Sequence, residues 1–339
     1  MPSSDASSDA TSDLLVVHLS DLHFGDRDRR HLEPHDPQLL EGLTAACRRL
    51  HRHVRVPRAT PLHFVVTGDV TAGAGETAFD AALAFLTGRV QLGHAAARVG
   101  LGLEFGPGGD LSIVPGDRDH GRIAVASPAG LDPTLRLPSP WKTTLVSSDR
   151  RLTVVLFGIN TDSGRLDRGP AGRSRNCGEI AAAEVAWLEL ELARTPAEAL
   201  RAIVMHHDLE PMPAVAQTAA TPAADRPPWP LAQRDKARLA ALAGQYRVDV
   251  VLTGHRHWPT SAPRAIPGPG AVLHELRAPA TLRQASTTAK AVGWSGLPGF
   301  LVHHVHRAAG GRRTWKTHLF LWHRGAFRLW RQAFEELEM

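Results

Sequence analysis

Residues 14–25 read Leu14-Leu15-Val16-Val17-His18-Leu19-Ser20-Asp21-Leu22-His23-Phe24-Gly25. An apolar run long enough for a buried strand gives way to Asp-x-His and a glycine, so a carboxylate and an imidazole stand where a strand passes into a loop. Packing asks for neither group at a strand tip, and a buried charge is costly unless it is paired or bound to a metal. The stretch marks a place for chemistry if other strands end in the same way.

Four others do. His63-Phe64-Val65-Val66-Thr67-Gly68-Asp69 is a second apolar run that closes on an acid. Leu111-Ser112-Ile113-Val114-Pro115 leads to Gly116-Asp117-Arg118-Asp119-His120, Ala202-Ile203-Val204-Met205 to His206-His207, and Val248–Thr253 to Gly254-His255-Arg256-His257. Helical spacing of apolar residues predicts helices over 38–53, 76–100, 179–193 and 234–246 between them. A further strand is expected over 152–159, others over 271–276 and 299–306, and a hairpin over 317–330 around Arg324-Gly325. The pattern is α/β. No internal repeat and no boundary between domains is visible, so residues 1–13, rich in Ser and Asp, read as a disordered tail. Residues 14–339 read as one domain, with a motif-bearing core over 14–307 and a C-terminal strand hairpin within 312–335.

The 339 residues suffice for a sizeable core, and 43% hydrophobic with 22% charged residues describes a soluble globular chain. The net charge of +5 and pI near 9.8 come from scattered arginines, with only Lys142, Lys236, Lys290 and Lys316 as lysines; this is weak support for a nucleic-acid surface. Cys47 and Cys177 form no disulfide framework and no Cys-x-x-Cys pair, which fits a reducing compartment. No stretch has the make-up of a signal peptide or reaches membrane-spanning length, so a cytoplasmic location without membrane contact is expected.

The five tips gather Asp21, His23, Asp69, Asp117, His206 or His207, His255 and His257. Any one of these motifs alone is most often a turn or a cap. Gly-His-x-His is the stronger signal, because alternate residues in an extended segment point the same way; by the same rule only one of His206 and His207 faces a given side. Seven oxygen and nitrogen ligands exceed the need of one zinc with an open position and suit two borderline divalent ions sharing a carboxylate. Two such ions clamp a phosphoryl group and supply an activated water.

In this order and setting the motifs resemble those of the metallophosphoesterase (calcineurin-like phosphoesterase) family over about residues 14–307. The resemblance implies a β-sandwich of two mixed sheets flanked by helices in αββα layers, with the metal site at the strand ends. It implies that Asp21, His23, Asp69 and His257 hold one metal, and Asp69, Asp117, His206 and His255 the other. The ions would be manganese, iron, zinc or similar. The reaction implied is in-line attack on phosphorus by a hydroxide bridging both ions, on a small phosphodiester or phosphomonoester, nucleotide-like in kind.

The third motif departs from the family pattern. Gly116-Asp117-Arg118-Asp119 stands where the family has Gly-Asn-His-Asp, so a ligand gains a negative charge and the family's phosphate-contacting histidine becomes Arg118. A guanidinium with pKa above about 12 is no practical general acid, but its planar fork can hold a phosphoryl oxygen. The catalytic candidates are Arg118, Asp119, which by the resemblance takes the place of the acid that orients the family's histidine, and His120 as a substitute acid. Two other outcomes stay open at this level: a family member of little or no turnover that binds a phosphorylated ligand or a partner protein, and a metal-dependent nuclease with salt-sensitive DNA binding.

Other features carry plainer readings. His303, His304 and His306 read as a structural histidine face with only His304 and His306 on one side, Trp258 as packing or as a stacking surface for a ring, Asp26–Arg30 as a solvated loop, and 208–231 as a lid or an insertion.

Overall fold

The structure, a computed structural model, describes residues 12–25, 36–72, 76–88, 90–91, 98–119, 137–163, 177–210, 231–268, 271–282, 296–330 and 334–339. His120, the 26–30 cluster and most of the 208–231 stretch lie outside them.

The opening run forms β1 (Ser12–Leu19), two residues longer at its start than the sequence pattern predicts. It pairs in parallel with β2 (Leu62–Thr67), which pairs in parallel with β5 (Leu111–Val114). On its other side β1 runs antiparallel to β12 (Gly299–Arg307), followed by β13 (Arg313–His323). The predicted hairpin is β13 with β14 (Ala326–Leu329), turning at Arg324-Gly325; β15 (Glu335–Glu338) extends the same edge. The second sheet runs in the order β10 (Thr260–Ala265), β11 (Val272–Arg277), β9 (Val250–Thr253), β8 (Leu200–Val204), β7 (Thr153–Gly158) and β6 (Trp141–Val146). Its four inner strands are parallel and its two outer strands antiparallel, so both sheets are mixed.

Strand alternation then builds the layers. Leu14 and Val16 of β1 meet Val154, Leu156, Val204 and Leu252 of the opposite sheet in a buried inter-sheet core. Their neighbours Leu15, Val17 and Leu19 face outward and are just as buried, under α1 (Pro37–Cys47) and α3 (Glu76–Thr87). Val155, Phe157, Ile203 and Val251 lie likewise under α4 (Ala182–Arg194) and α5 (Gln233–Tyr246). Burial on both faces is why these strands read as unbroken apolar runs. The result is the expected αββα sandwich.

Two helical expectations are corrected. The helix predicted over 38–53 is α1 plus a short α2 (Leu50–Val54), because the chain tightens at Arg48-Arg49 while Leu39, Leu43 and Leu50 stay on one buried face. The helix predicted over 76–100 ends at Thr87. Gly88, a poor helix former, follows it with its N–H still donating to Ala84 O at 3.0 Å, and β3 (Val90–Gln91) and β4 (Arg98–Val99) form a small separate sheet.

The inter-sheet layer also holds polar groups. Thr317, His303, His18 and Thr67 form a buried chain across four strands: His303 Nδ1 lies 3.0 Å from Thr317 Oγ1, His18 Nδ1 3.2 Å from His303 Nε2, and His18 Nε2 3.0 Å from Thr67 Oγ1. His63 Nε2 meets Ser112 Oγ at 2.9 Å in the same layer. Burial pushes His18 down to about 3 and His63 down to about 4 from the ordinary 6.5. Both stay neutral in the folded protein and charge first in the unfolded chain. Their stability contribution is therefore complete above pH about 6.5 and is lost as the pH falls from there through the folded values. At about 1.4 kcal/mol per pH unit of separation, His63 accounts for up to about 3 kcal/mol. Urea unfolding at pH 7.5 and 4.5 is expected to show His63→Gln losing about 2 kcal/mol less than wild type between the two pH values. Equal losses would mean that His63 is protonated in the fold.

Candidate metal centre

The C-terminal ends of β1, β2 and β5 in one sheet and of β8 and β9 in the other open onto the same edge of the sandwich. The loops after β1 and β2 stay paired beyond the strands, with Asp21 N–H donating to Gly68 O at 3.0 Å and His23 N–H to Asp69 O at 2.9 Å. This pairing holds with Asp21, His23 and Asp69 all at positive φ (51°, 52° and 49°), as are His255 (74°) and His257 (64°). Backbone in this region is disfavoured for residues with a side chain, and it persists where the surroundings over-determine it. Gly68, at φ 83°, is a true glycine position: a Cβ there would stand 2.5 Å from His206 Nδ1 and 2.8 Å from Gly116.

All seven residues singled out as ligands converge. Asp21, His23 and His257 form one group, with His257 Nε2 3.3 Å from Asp21 Oδ1 and 3.1 Å from His23 Nε2. Asp117, His206 and His255 form a second, with Asp117 Oδ1 3.3 Å from His206 Nε2 and 3.4 Å from His255 Nδ1. Asp69 lies between them, its Oδ1 3.5 Å from His206 Nε2 and its Oδ2 3.8 Å from His23 Nε2. His206 faces the cluster with Nδ1 held by Thr67 O at 2.7 Å, whereas His207 turns to Thr161 Oγ1, also at 2.7 Å.

The electrostatics fit a cation site. Burial and the neighbouring Asp117 raise Asp69 well above the usual carboxylate range. Burial would raise Asp117 as well, but hydrogen bonds from His206 and His255 hold it low. His206 is raised despite its burial, mainly by Asp69. Three carboxylates and four imidazoles are thus packed with imidazole nitrogens facing each other. Asp21 Oδ1, buried, finds no well-formed hydrogen bond among the described residues and faces the imidazole nitrogens of His257 and His23 at 3.3 and 3.8 Å. Such a donor set of oxygen and nitrogen, free of thiolate, fits divalent ions of the manganese, iron and zinc kind.

The remaining candidates sort differently. Arg118 is about half exposed; its backbone N–H donates to Asp69 Oδ1 at 2.9 Å and its Nε stands 3.4 Å from Asp69 Oδ2. The carboxylate of Asp119 accepts from the backbone N–H groups of Val70, Thr71 and Gly116 and from Thr71 Oγ1, at 2.8–3.2 Å, tying the loop after β2 to the loop after β5. Trp258 is 7% exposed, with the guanidiniums of Arg277 and Arg256 at 5.1 and 5.9 Å from its ring; this is packing rather than an open stacking surface. His304 and His306 share a face, their rings 5.8 Å apart, and His304 Nε2 meets Asp13 Oδ1 at 2.7 Å.

A buried charge cluster behind the histidines went unread in the sequence. Asp208, Glu275, Arg256 and Arg277 are essentially inaccessible, and Glu210 and Arg264 complete the group. The signal was present in the Arg of Gly-His-Arg-His and in Asp208 two residues after His206.

No family model matches the sequence, and no curated protein matches it. Among solved structures the chain is similar to the purple acid phosphatase PPD1 from yellow lupin (Lupinus luteus) seeds, at 12% identity and a TM-score of 0.50, covering 91% of this chain and 52% of that one. It is also similar to GAP50, the anchor in the inner membrane complex of Plasmodium, at 13% identity and a TM-score of 0.48, covering 88% and 84%. The 5'-nucleotidase from Candida albicans SC5314 aligns at 12% identity and a TM-score of 0.41, covering 86% and 47%. The chain spans about half the length of the lupin and Candida proteins. The fold is therefore the metallophosphoesterase-like α/β sandwich, with groups of residues able to hold metal at its strand ends. Among the described residues no helix is long and apolar enough to cross a membrane.

Proposed function

We propose that the protein is a metal-dependent phosphoesterase acting on a small phosphodiester or phosphomonoester, nucleotide-like in kind. The observation that carries this reading is the pair of three-residue groups with Asp69 between them, one of its oxygens toward each. Asp21, His23 and His257 would hold one divalent ion, Asp117, His206 and His255 the other, with Asp69 shared. Bound there, such ions lower the pKa of water and draw charge from phosphoryl oxygens.

The chain's own residues do the rest. The Thr67 carbonyl, by accepting from His206 Nδ1, fixes the ring so that Nε2 is the ligand atom. Asp119 holds the β2 and β5 loops at a constant spacing, and with them Asp69 and Asp117. Arg118, half exposed at the rim, turns its fork from Asp69 to a phosphoryl oxygen of the substrate and stabilises the charge that builds there.

The test is hydrolysis of bis-p-nitrophenyl phosphate and p-nitrophenyl phosphate by metal-stripped protein refilled with manganese, iron, nickel or zinc. Metal-dependent nitrophenolate release is expected, and the ratio of diester to monoester rates assigns the branch. Metal uptake without turnover on either ester would transfer the site to a second reading, a binder of phosphorylated ligands. Arg118, which supplies charge but no proton, favours that one. No uptake of metal would end both.

A further inference from the structure

Arg256 stands between His255 and His257, yet its side chain leaves the metal cluster and is fully buried behind it. Its Nε donates to Asp208 Oδ2 at 2.7 Å and its Nη2 to the Glu210 carbonyl at 2.9 Å. One guanidinium on the loop after β9 thus grips the loop after β8, two and four residues beyond His206. Glu210 carries the connection onward: its Oε2 accepts from Arg277 Nη1 at 2.8 Å, while Arg277 Nε donates to Trp258 O at 3.0 Å, just past His257. The loop bearing two histidines at positive φ is held from both ends.

Buried ion pairs of this kind are poor sources of net stability and are often replaceable by apolar groups without loss. Their geometry is the more telling feature. The three imidazoles of His206, His255 and His257 follow two different strands of the second sheet, and Arg256 joins the two loops from behind the cluster, where His206 and His255 themselves meet at 3.0 Å. We propose that Arg256 is a positioning residue that sets the metal affinity of the cluster, by locking the His206 loop to the His255–His257 loop through Asp208 and Glu210. This rests on the reading of the cluster as a metal centre.

Cobalt(II) titration of the metal-free, full-length protein tests it, with the visible absorption of the bound ion as the readout. In Arg256→Lys the pair with Asp208 is kept and the fork to Glu210 is lost. Cobalt affinity is expected to fall about 10- to 100-fold and the absorption bands to shift, with the far-ultraviolet circular dichroism unchanged. The double variant Arg256→Gln with Asp208→Asn removes both charges together, so that a lysine variant that does not fold leaves the test standing; the same loss is expected. A folded variant binding cobalt within about threefold of wild type, with unshifted bands, overturns the role of Arg256 and leaves the metal centre intact. Wild-type protein that takes up no cobalt overturns both.

Discussion

Asp69→Asn is expected to yield a metal-free protein no less stable than wild type, and to lose metal-dependent hydrolysis by a factor on the order of 10³. Asp69 is 1% exposed and shares its space with the carboxylates of Asp21 and Asp117, so its own charge opposes folding when no cation is present. Asparagine keeps the oxygen that accepts from the Arg118 N–H and removes that charge. What it cannot do is offer one anionic oxygen to each three-residue group. Thermal melts with and without saturating manganese or zinc separate the two effects. Wild type should gain about 2.7 kcal/mol for each site held at a hundred times its dissociation constant, and Asp69→Asn less than about 1 in all. A full metal-induced gain in the variant would place the ions elsewhere, and a large loss in the metal-free variant would make Asp69 a structural residue.

The seven residues that converge here were readable in the sequence because each follows a strand buried on both faces. An unbroken apolar run leaves no doubt about where the strand ends, and a polar group at that point stands out. The choice of His206 over His207 was open from alternation alone and came from the family resemblance; in the structure His206 Nε2 lies 3.3 Å from Asp117 and 3.5 Å from Asp69, while His207 Nδ1 meets Thr161 Oγ1 at 2.7 Å. Where local signals competed, the reading was poorer. Apolar residues past Thr87 continued a helical pattern, and Gly88 outweighed them. His18 sits inside the apolar run of β1 and gave no hint of its chain to His303 and Thr317, since that contact joins strands about 285 residues apart. Arg256 was hidden for the same reason: its partners lie 46 to 48 residues away, on the neighbouring strand's loop. Spacing reports which face a side chain takes and is silent on what waits there.

Arg118→His is expected to change the proposed hydrolysis by an amount that depends on the leaving group. A p-nitrophenolate leaves without a proton, so hydrolysis of nitrophenyl esters should stay within about threefold of wild type. An alkoxide leaves far less readily, and a positioned acid contributes on the order of 10²–10⁴-fold to such a step. Simple alkyl phosphate esters should therefore react about 100-fold faster in the variant, with a rate that falls as the imidazole loses its proton at higher pH. Metal uptake should change by less than about threefold, because the backbone N–H keeps its bond to Asp69 Oδ1 and only the half-exposed side chain's contact with Oδ2, at 3.4 Å, is lost. That separation makes the comparison decisive. A gain confined to alkyl esters identifies position 118 as the place of the acid and explains Arg118 as a fork for esters that leave easily or for ligands held unchanged. An equal change for both esters would mean that the arginine acts through charge alone, and no change for either would remove position 118 from the reaction.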